Sequence, residues 1–256
     1  MKEVLFISKM KLKKDIPKNN YLSELPVIRN LFRKKELSFD SPITFFVGEN
    51  GIGKSTLIEA IAINFGFPPE GGTKNYNYYT KNTHSDLFEY ITLVKTANFA
   101  RKGYFLRAES FYNTISYLDY LVEEYGTDRN YFQHLSKESP NPSLHHNMSH
   151  GESFLNLVVD QFTGNGLYIL DEPEAALSPM GIMRLMRTIY TCAKQGSQFI
   201  ISTHSPLLTT IPNSTIYQLT EEEIEKVSYK QTLHYVMTRR FLENPGLILE
   251  DLLEGD

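Results

Sequence analysis

Gly48-Glu49-Asn50-Gly51-Ile52-Gly53-Lys54-Ser55 follows a short apolar run, Ile43–Val47 (ITFFV), and leads into Ser55–Phe65 (STLIEAIAINF), whose apolar residues recur at helical spacing. The octet fits G-x-x-x-x-G-K-[ST]. The run before it is β-branched and aromatic, as a buried strand requires, and Gly66 with Pro68-Pro69 stops the helix after it. The spacing therefore predicts a strand, a tight loop and a helix. In such a unit the glycines let the backbone curl so that successive N–H groups point inward and form an anion nest. The helix adds its positive N-terminal end. Gly48, Glu49, Asn50, Gly51, Ile52 and Gly53, with Thr56 in the first helical turn, are expected to line a phosphate tail. Lys54 is expected to reach the β- and γ-phosphates, and the Ser55 hydroxyl to ligate Mg2+.

Two later apolar runs supply further chemistry. Leu167–Leu170 ends in Asp171-Glu172-Pro173, so a buried strand delivers two carboxylates to the carboxyl edge of the sheet, where open α/β folds bind ligands. Asp171 is expected in the magnesium shell. Glu172 is placed to orient or deprotonate the water that attacks the γ-phosphate. Phe199–Ser202 puts His204 just past a third strand, where it would donate a hydrogen bond to the transferred group. An apolar strand ending in acids is common, and a lone histidine is usually structural. Downstream of a phosphate loop, in this order, the three segments form one constellation.

Strands alternating with helices indicate a parallel sheet covered on both faces. Leu87–Val94 and Gly103–Arg107 read as further strands, neighbours in an antiparallel element, and residues 67–85 as a polar loop. Helices are expected over Ser110 to about Tyr125, from Ser149 and over Met180–Ala193. The whole reads as a single domain over residues 1–256. A small helical lid subdomain would occupy about 108–160, and a short C-terminal extension about 211–256.

The 256 residues, 41% hydrophobic and 22% charged, are enough to bury a substantial core and exclude wholesale disorder. No run approaches the roughly 20 apolar residues of a membrane-spanning helix, and the first residues do not pattern as a signal peptide. Cys192 is the one cysteine, which excludes an internal disulfide and a cysteine-based zinc site. A cytoplasmic protein without membrane insertion is expected. Net charge is −4, against a dedicated nucleic-acid binder. Residues 1–40 nevertheless hold ten Lys and Arg. That basic end is either a solvated surface or a place to meet nucleotide or nucleic-acid phosphate. His145, His146 and His150 are irregularly spaced in a polar stretch and read as a solvated loop rather than a metal site.

The three segments, in this order, resemble the nucleotide-binding domain of ABC-type ATPases. Ser149-His150-Gly151-Glu152, after Met148, resembles the signature loop of that family. Glu174–Pro179 (EAALSP) resembles its D-loop, with Ser178 where aspartate is usual. The stretch DEPEAALSP is more similar to the soluble RecF/SMC-like ATPases than to transporter subunits. The resemblance covers about residues 25–210. It implies a P-loop NTPase fold: an ABC-type ATPase head with a mostly parallel central sheet, an antiparallel β element and a small helical lid. It further implies ATP and Mg2+ as ligands, ATP hydrolysis, and an ATP-dependent head-to-tail homodimer. In that dimer Ser149, Gly151 and Glu152 of one protomer would cap the nucleotide held by the other. No glutamine precedes Gln133, so the position of the family's Q-loop glutamine falls to Glu109, a candidate for holding Mg2+ through water. Tyr21 stands at a reasonable spacing before Gly48 to stack on adenine, one of 16 tyrosines. The 93 residues from Thr56 to Met148 leave room for a lid and not for a long coiled coil. Three uses compete: a soluble switch in DNA repair, DNA maintenance or phage defence acting through an effector protein or nucleic acid, the ATP-binding subunit of a membrane transporter, and a nucleotide-gated scaffold that does not hydrolyse.

Overall fold

The computed structural model describes residues 4–17, 19–73, 85–107, 162–175 and 177–254. In chain order its elements are β1 (Ile7–Leu12), α1 (Pro26–Lys34), β2 (Glu36–Ser38), β3 (Ile43–Gly48), α2 (Lys54–Phe65), β4 (Ile91–Lys95), β5 (Lys102–Arg107), β6 (Gly166–Asp171), α3 (Pro179–Lys194), β7 (Gln198–Ser202), β8 (Ser214–Leu219), β9 (Ile224–Val227), α4 (Leu233–Glu243) and α5 (Pro245–Glu254). A six-stranded sheet has the order β5-β6-β7-β3-β8-β9, and a three-stranded sheet the order β2-β1-β4. Neighbours in the larger sheet run parallel except β8 and β9, and the smaller sheet is antiparallel throughout. This is the expected α/β architecture of a P-loop NTPase, a mostly parallel sheet with an antiparallel companion.

Composition explains the layering. All residues of β3, β6 and β7 are buried, as strands covered on both faces must be. Side chains alternate between two cores. Phe46, Ile169, Ile200 and Tyr217 pack on one face with α1, α2 and the antiparallel sheet. Phe45, Val47, Tyr168, Leu170, Phe199 and Ile201 pack on the other with α3. Because α2 is enclosed by the central sheet and its antiparallel companion, Leu57, Ile58, Ala60, Ile61 and Ala62 are all buried. Full burial of each Leu or Ile contributes about 1.5–3 kcal/mol. α3 begins with Pro179 at its first turn, and the Ser178 hydroxyl accepts from Gly181 N–H at 3.2 Å. Ser178 is thus an N-cap, a duty aspartate performs equally well.

The two sheets are joined by a side chain. Gln198, fully buried on β7, accepts at Oε1 from Phe6 N–H (2.7 Å) and Ile7 N–H (2.9 Å), and its Nε2 donates to Ile7 O (2.8 Å). On β1 itself, Lys9 and Lys11 both pair with Glu36 of β2 on the exposed face of the sheet, so part of the basic N-terminal charge is paired there.

Three expectations are corrected. Leu87–Val94 is not one strand. Asp86–Glu89 is a 3-10 turn, with the Ser85 hydroxyl accepting from Leu87 N–H at 3.1 Å, and the strand begins at Ile91. Nor are β4 and β5 neighbours: β4 pairs with β1, and β5 runs parallel to β6 from Lys102 opposite Gly166 to Arg107 opposite Asp171. The strand hidden in the lysine-rich N-terminus supplies the partner that the sequence reading sought in β5. Residues 211–256 are also more than an extension, since β8 and β9 complete the central sheet before α4 and α5 form a hairpin.

Candidate functional site

The loop from β3 to α2 is shaped by backbone that only glycine adopts easily. Gly53 caps α2 with φ +100°, and a Cβ there would fall 2.5 Å from Val27 Cγ1. Gly51 has φ +79°, with open space where its Cβ would stand, so this side of the loop is a clear cradle. Val27 N–H donates to Ile52 O at 3.1 Å and fastens the loop to α1. Lys54 is buried, and its Nζ donates to Gly48 O (2.9 Å) and Glu49 O (2.8 Å). Its ammonium is folded onto the loop that carries it. Burial pushes its pKa below the ordinary lysine value, against the pull of Glu172, Asp171 and Glu174.

Strand order assembles the rest. With β6 beside β7 and β7 beside β3, the carboxyl ends of the three strands meet at the start of α2. Asp171, 7% exposed, accepts at Oδ1 from Ser55 Oγ (3.2 Å) and from Ser202 Oγ. Burial raises its pKa above the usual aspartate value, and the two hydroxyls oppose that rise. Glu172 follows with φ +47°, unusual for a non-glycine residue, and its N–H donates to Ser202 O (3.1 Å) and Ser202 Oγ (3.2 Å). This bend at the strand end turns its carboxylate outward, where Oε1 lies 3.1 Å from His204 Nε2. Glu174 Oε1 receives Thr203 Oγ1 (2.7 Å), His204 N–H (2.7 Å) and Ser205 N–H (3.1 Å). On the far side of the His204 ring, Nδ1 lies 3.3 Å from His234 Nε2 of α4.

The sequence-predicted Lys54, Ser55, Asp171, Glu172 and His204 are therefore brought together. Ser202, Glu174 and His234 were missed. A third carboxylate in DEPE and a serine closing an apolar strand were visible signals for the first two. Nothing local marked His234. Glu109, Ser149, Gly151 and Glu152, the 108–160 lid segment and the His145, His146 and His150 loop lie outside the described residues. Tyr21 sits in the 3-10 turn Tyr21–Glu24, is 57% exposed, and shortly precedes Leu25 and Val27, which lie against Gly53.

The donor chemistry fits a magnesium-bound phosphate. The exposed Ser55 hydroxyl and the buried Asp171 carboxylate are hard oxygen donors, and Mg2+ characteristically takes one or two protein oxygens, keeping waters and phosphate oxygens as its other ligands. No cluster of three or more His, Cys, Asp or Glu suited to a metal occurs among the described residues.

Comparisons with known proteins identify the lineage. A family model described as "AAA domain, putative AbiEii toxin, Type IV TA system" matches residues 72–210, more than half of the chain. The chain belongs to this AAA-domain family. Membership of an AAA/ABC-type ATPase family implies ATP binding, in accord with the glycine loop and its carboxylates. The chain is also similar to two energy-coupling factor transporter ATP-binding proteins EcfA. That of Methanococcus maripaludis is 40% identical over 60 residues, 23% of this chain and 22% of that protein. That of Methanocaldococcus jannaschii is 36% identical over 58 residues, 23% of this chain and 21% of that protein. The matches span about a fifth of each curated relative. No helix among the described residues of this family member is long and apolar enough to cross a membrane.

Proposed function

We propose that the chain binds MgATP at the loop Gly48–Ser55, hydrolyses it, and does so as a head-to-tail homodimer acting through an effector. The observation that carries this reading is the convergence of Ser55 with Asp171 (3.2 Å) beside Glu172 with His204 (3.1 Å) at the mouth of a glycine loop. Positioning and charge neutralisation, rather than covalent catalysis, are what such a site supplies. The amides from Glu49 to Ser55, with Thr56 behind them, receive the phosphate tail. Lys54 exchanges the carbonyls of Gly48 and Glu49 for phosphate oxygens. Ser55 and Asp171 hold the cation, with Glu109 reaching it through water. Mg2+, when bound, neutralises charge on the phosphate oxygens. Glu172 orients the attacking water and accepts its proton, and His204 donates to the γ-phosphate. Ser149, Gly151 and Glu152 of a second copy close the site from the other side.

The family's description as a toxin of a type IV toxin–antitoxin system favours a use in defence through a partner. Transport is the second reading, favoured by the name of the two EcfA relatives. Phosphate release and sedimentation in MgATP test the first. The wild type should release phosphate. Glu172→Gln should still bind nucleotide, lose about 100-fold or more of the rate and sediment as a dimer. Absence of MgATP binding at millimolar concentration overturns the reading. A Glu172→Gln form that hydrolyses at the wild-type rate or stays monomeric removes the hydrolytic or the dimeric part of it. Copurification of the same variant with an integral membrane protein would favour transport instead.

A further inference from the structure

His204 is held at both ring nitrogens, and only one of the holders belongs to the carboxylate cluster. Glu172 Oε1 lies 3.1 Å from Nε2, and His234 Nε2 lies 3.3 Å from Nδ1, with the two imidazoles edge to face at 5.1 Å and 81°. Facing a carboxylate oxygen, Nε2 is the ring nitrogen of His204 placed to donate. In neutral His204 the opposite nitrogen is then a lone pair, and His234 Nε2–H is the donor that meets it. Burial, with His204 and Lys54 nearby, lowers the pKa of His234 and so favours the neutral ring, the form in which one nitrogen donates and the other accepts.

Among the described residues, few side chains hold the element bearing His234. α4 buries none of its own residues. Its first turn is fixed by Thr232, which is fully buried, by Leu233 N–H donating to Gln218 Oε1 of β8 (3.0 Å), and by the Tyr229–Tyr235 ring contact. Among the described residues, the contact between His234 and His204 is thus one of a few attachments of the C-terminal hairpin to the sheet, and it falls on the histidine assigned above to the γ-phosphate.

We propose that His234 is a positioning residue: from the first turn of α4 it fixes the tautomer and ring plane of His204 toward Glu172, and so couples the C-terminal hairpin to ATP hydrolysis. This rests on the ATPase reading above. A base or donor oriented by a third group is the general arrangement for such catalysis, and loss of the group that sets a catalytic histidine's tautomer lowers the rate strongly.

The test is steady-state hydrolysis of MgATP by wild type, His234→Ala and His234→Gln, with calorimetric ATP affinity and long-range 1H–15N spectra of the histidine rings. His234→Ala is expected to lower kcat at least tenfold, with KM and Kd within about twofold, and to convert His204 from one tautomer to a mixture. His234→Gln, whose amide N–H reaches the same nitrogen, should recover most of kcat and the single tautomer. A kcat for His234→Ala within twofold of wild type overturns the proposal. So does a Gln variant as slow as Ala with the His204 spectrum unchanged, which would mark a packing role. A wild type that neither binds nor hydrolyses MgATP would instead overturn the ATPase reading itself, and that result is visible before any variant is compared.

Discussion

Asp171 faces opposite demands from folding and from chemistry. Its carboxylate is buried at the end of β6, and burial raises its pKa. The folded chain therefore holds that proton more tightly than the unfolded chain, and the Asp171 contribution falls as pH rises through the gap between the two values. Asp171→Asn keeps an acceptor for Ser55 and Ser202 while removing the buried charge. Urea unfolding of the nucleotide-free protein at pH 7 should show the variant more stable by about 1–2 kcal/mol, with the difference shrinking toward pH 4. Its phosphate release should be lost. Gly53→Ala should act in the other direction. The strained φ and the 2.5 Å approach to Val27 Cγ1 predict a loss of about 1–3 kcal/mol in the same unfolding measurement, together with weakened nucleotide binding. Residues such as Lys54, Ser55 and Asp171 were legible because each is fixed by a motif and by the end of an apolar run. His234 was not, and Glu174, though flagged by the DEPE run, had no role that the run alone assigned. Their significance comes from partners about 30 residues away, His204 in both cases, which are brought near only when the strands take their places.

At the scale of elements, the strand, loop and helix around Gly48–Ser55 were readable because a continuous apolar, β-branched and aromatic run gives way to helical spacing across a glycine turn. The β4 region was misread for an equally local reason. Leu87 is buried through a turn capped by Ser85, and its apolar character resembles that of the strand it precedes. β1 was hidden by its lysines, which look solvated until Glu36 is placed beside them. Beside the apolar packing of Ile7 and Met10, one polar side chain attaches β1 to the central sheet. Gln198→Leu would leave Phe6 N–H, Ile7 N–H and Ile7 O buried without partners. Each such group costs about 1–3 kcal/mol, so chemical denaturation should report a loss of about 3 kcal/mol or more. A loss below about 1 kcal/mol would mean that the two sheets are held by apolar packing alone.

At the scale of the molecule, many of the exposed large apolar side chains among the described residues lie on the C-terminal hairpin, where Leu242 and Leu253 are 73% and 79% accessible. Isolated exposed leucines are ordinary, whereas a group shared by two helices is an adhesive surface. The pair Leu242→Ser and Leu253→Ser should leave stability within about 0.5 kcal/mol and reduce binding of a hydrophobic dye. The central sheet has another consequence, for the order in which the chain is made. β3 precedes both of its hydrogen-bonded neighbours, β7 and β8, by about 150 residues or more. At about 5–20 residues per second, a ribosome needs roughly 8–30 seconds to synthesise that interval. Until then ITFFV is an apolar run without its sheet partners, so the glycine loop that follows it waits on β7 and β8 to take shape, and over that interval the nascent chain is open to chaperones.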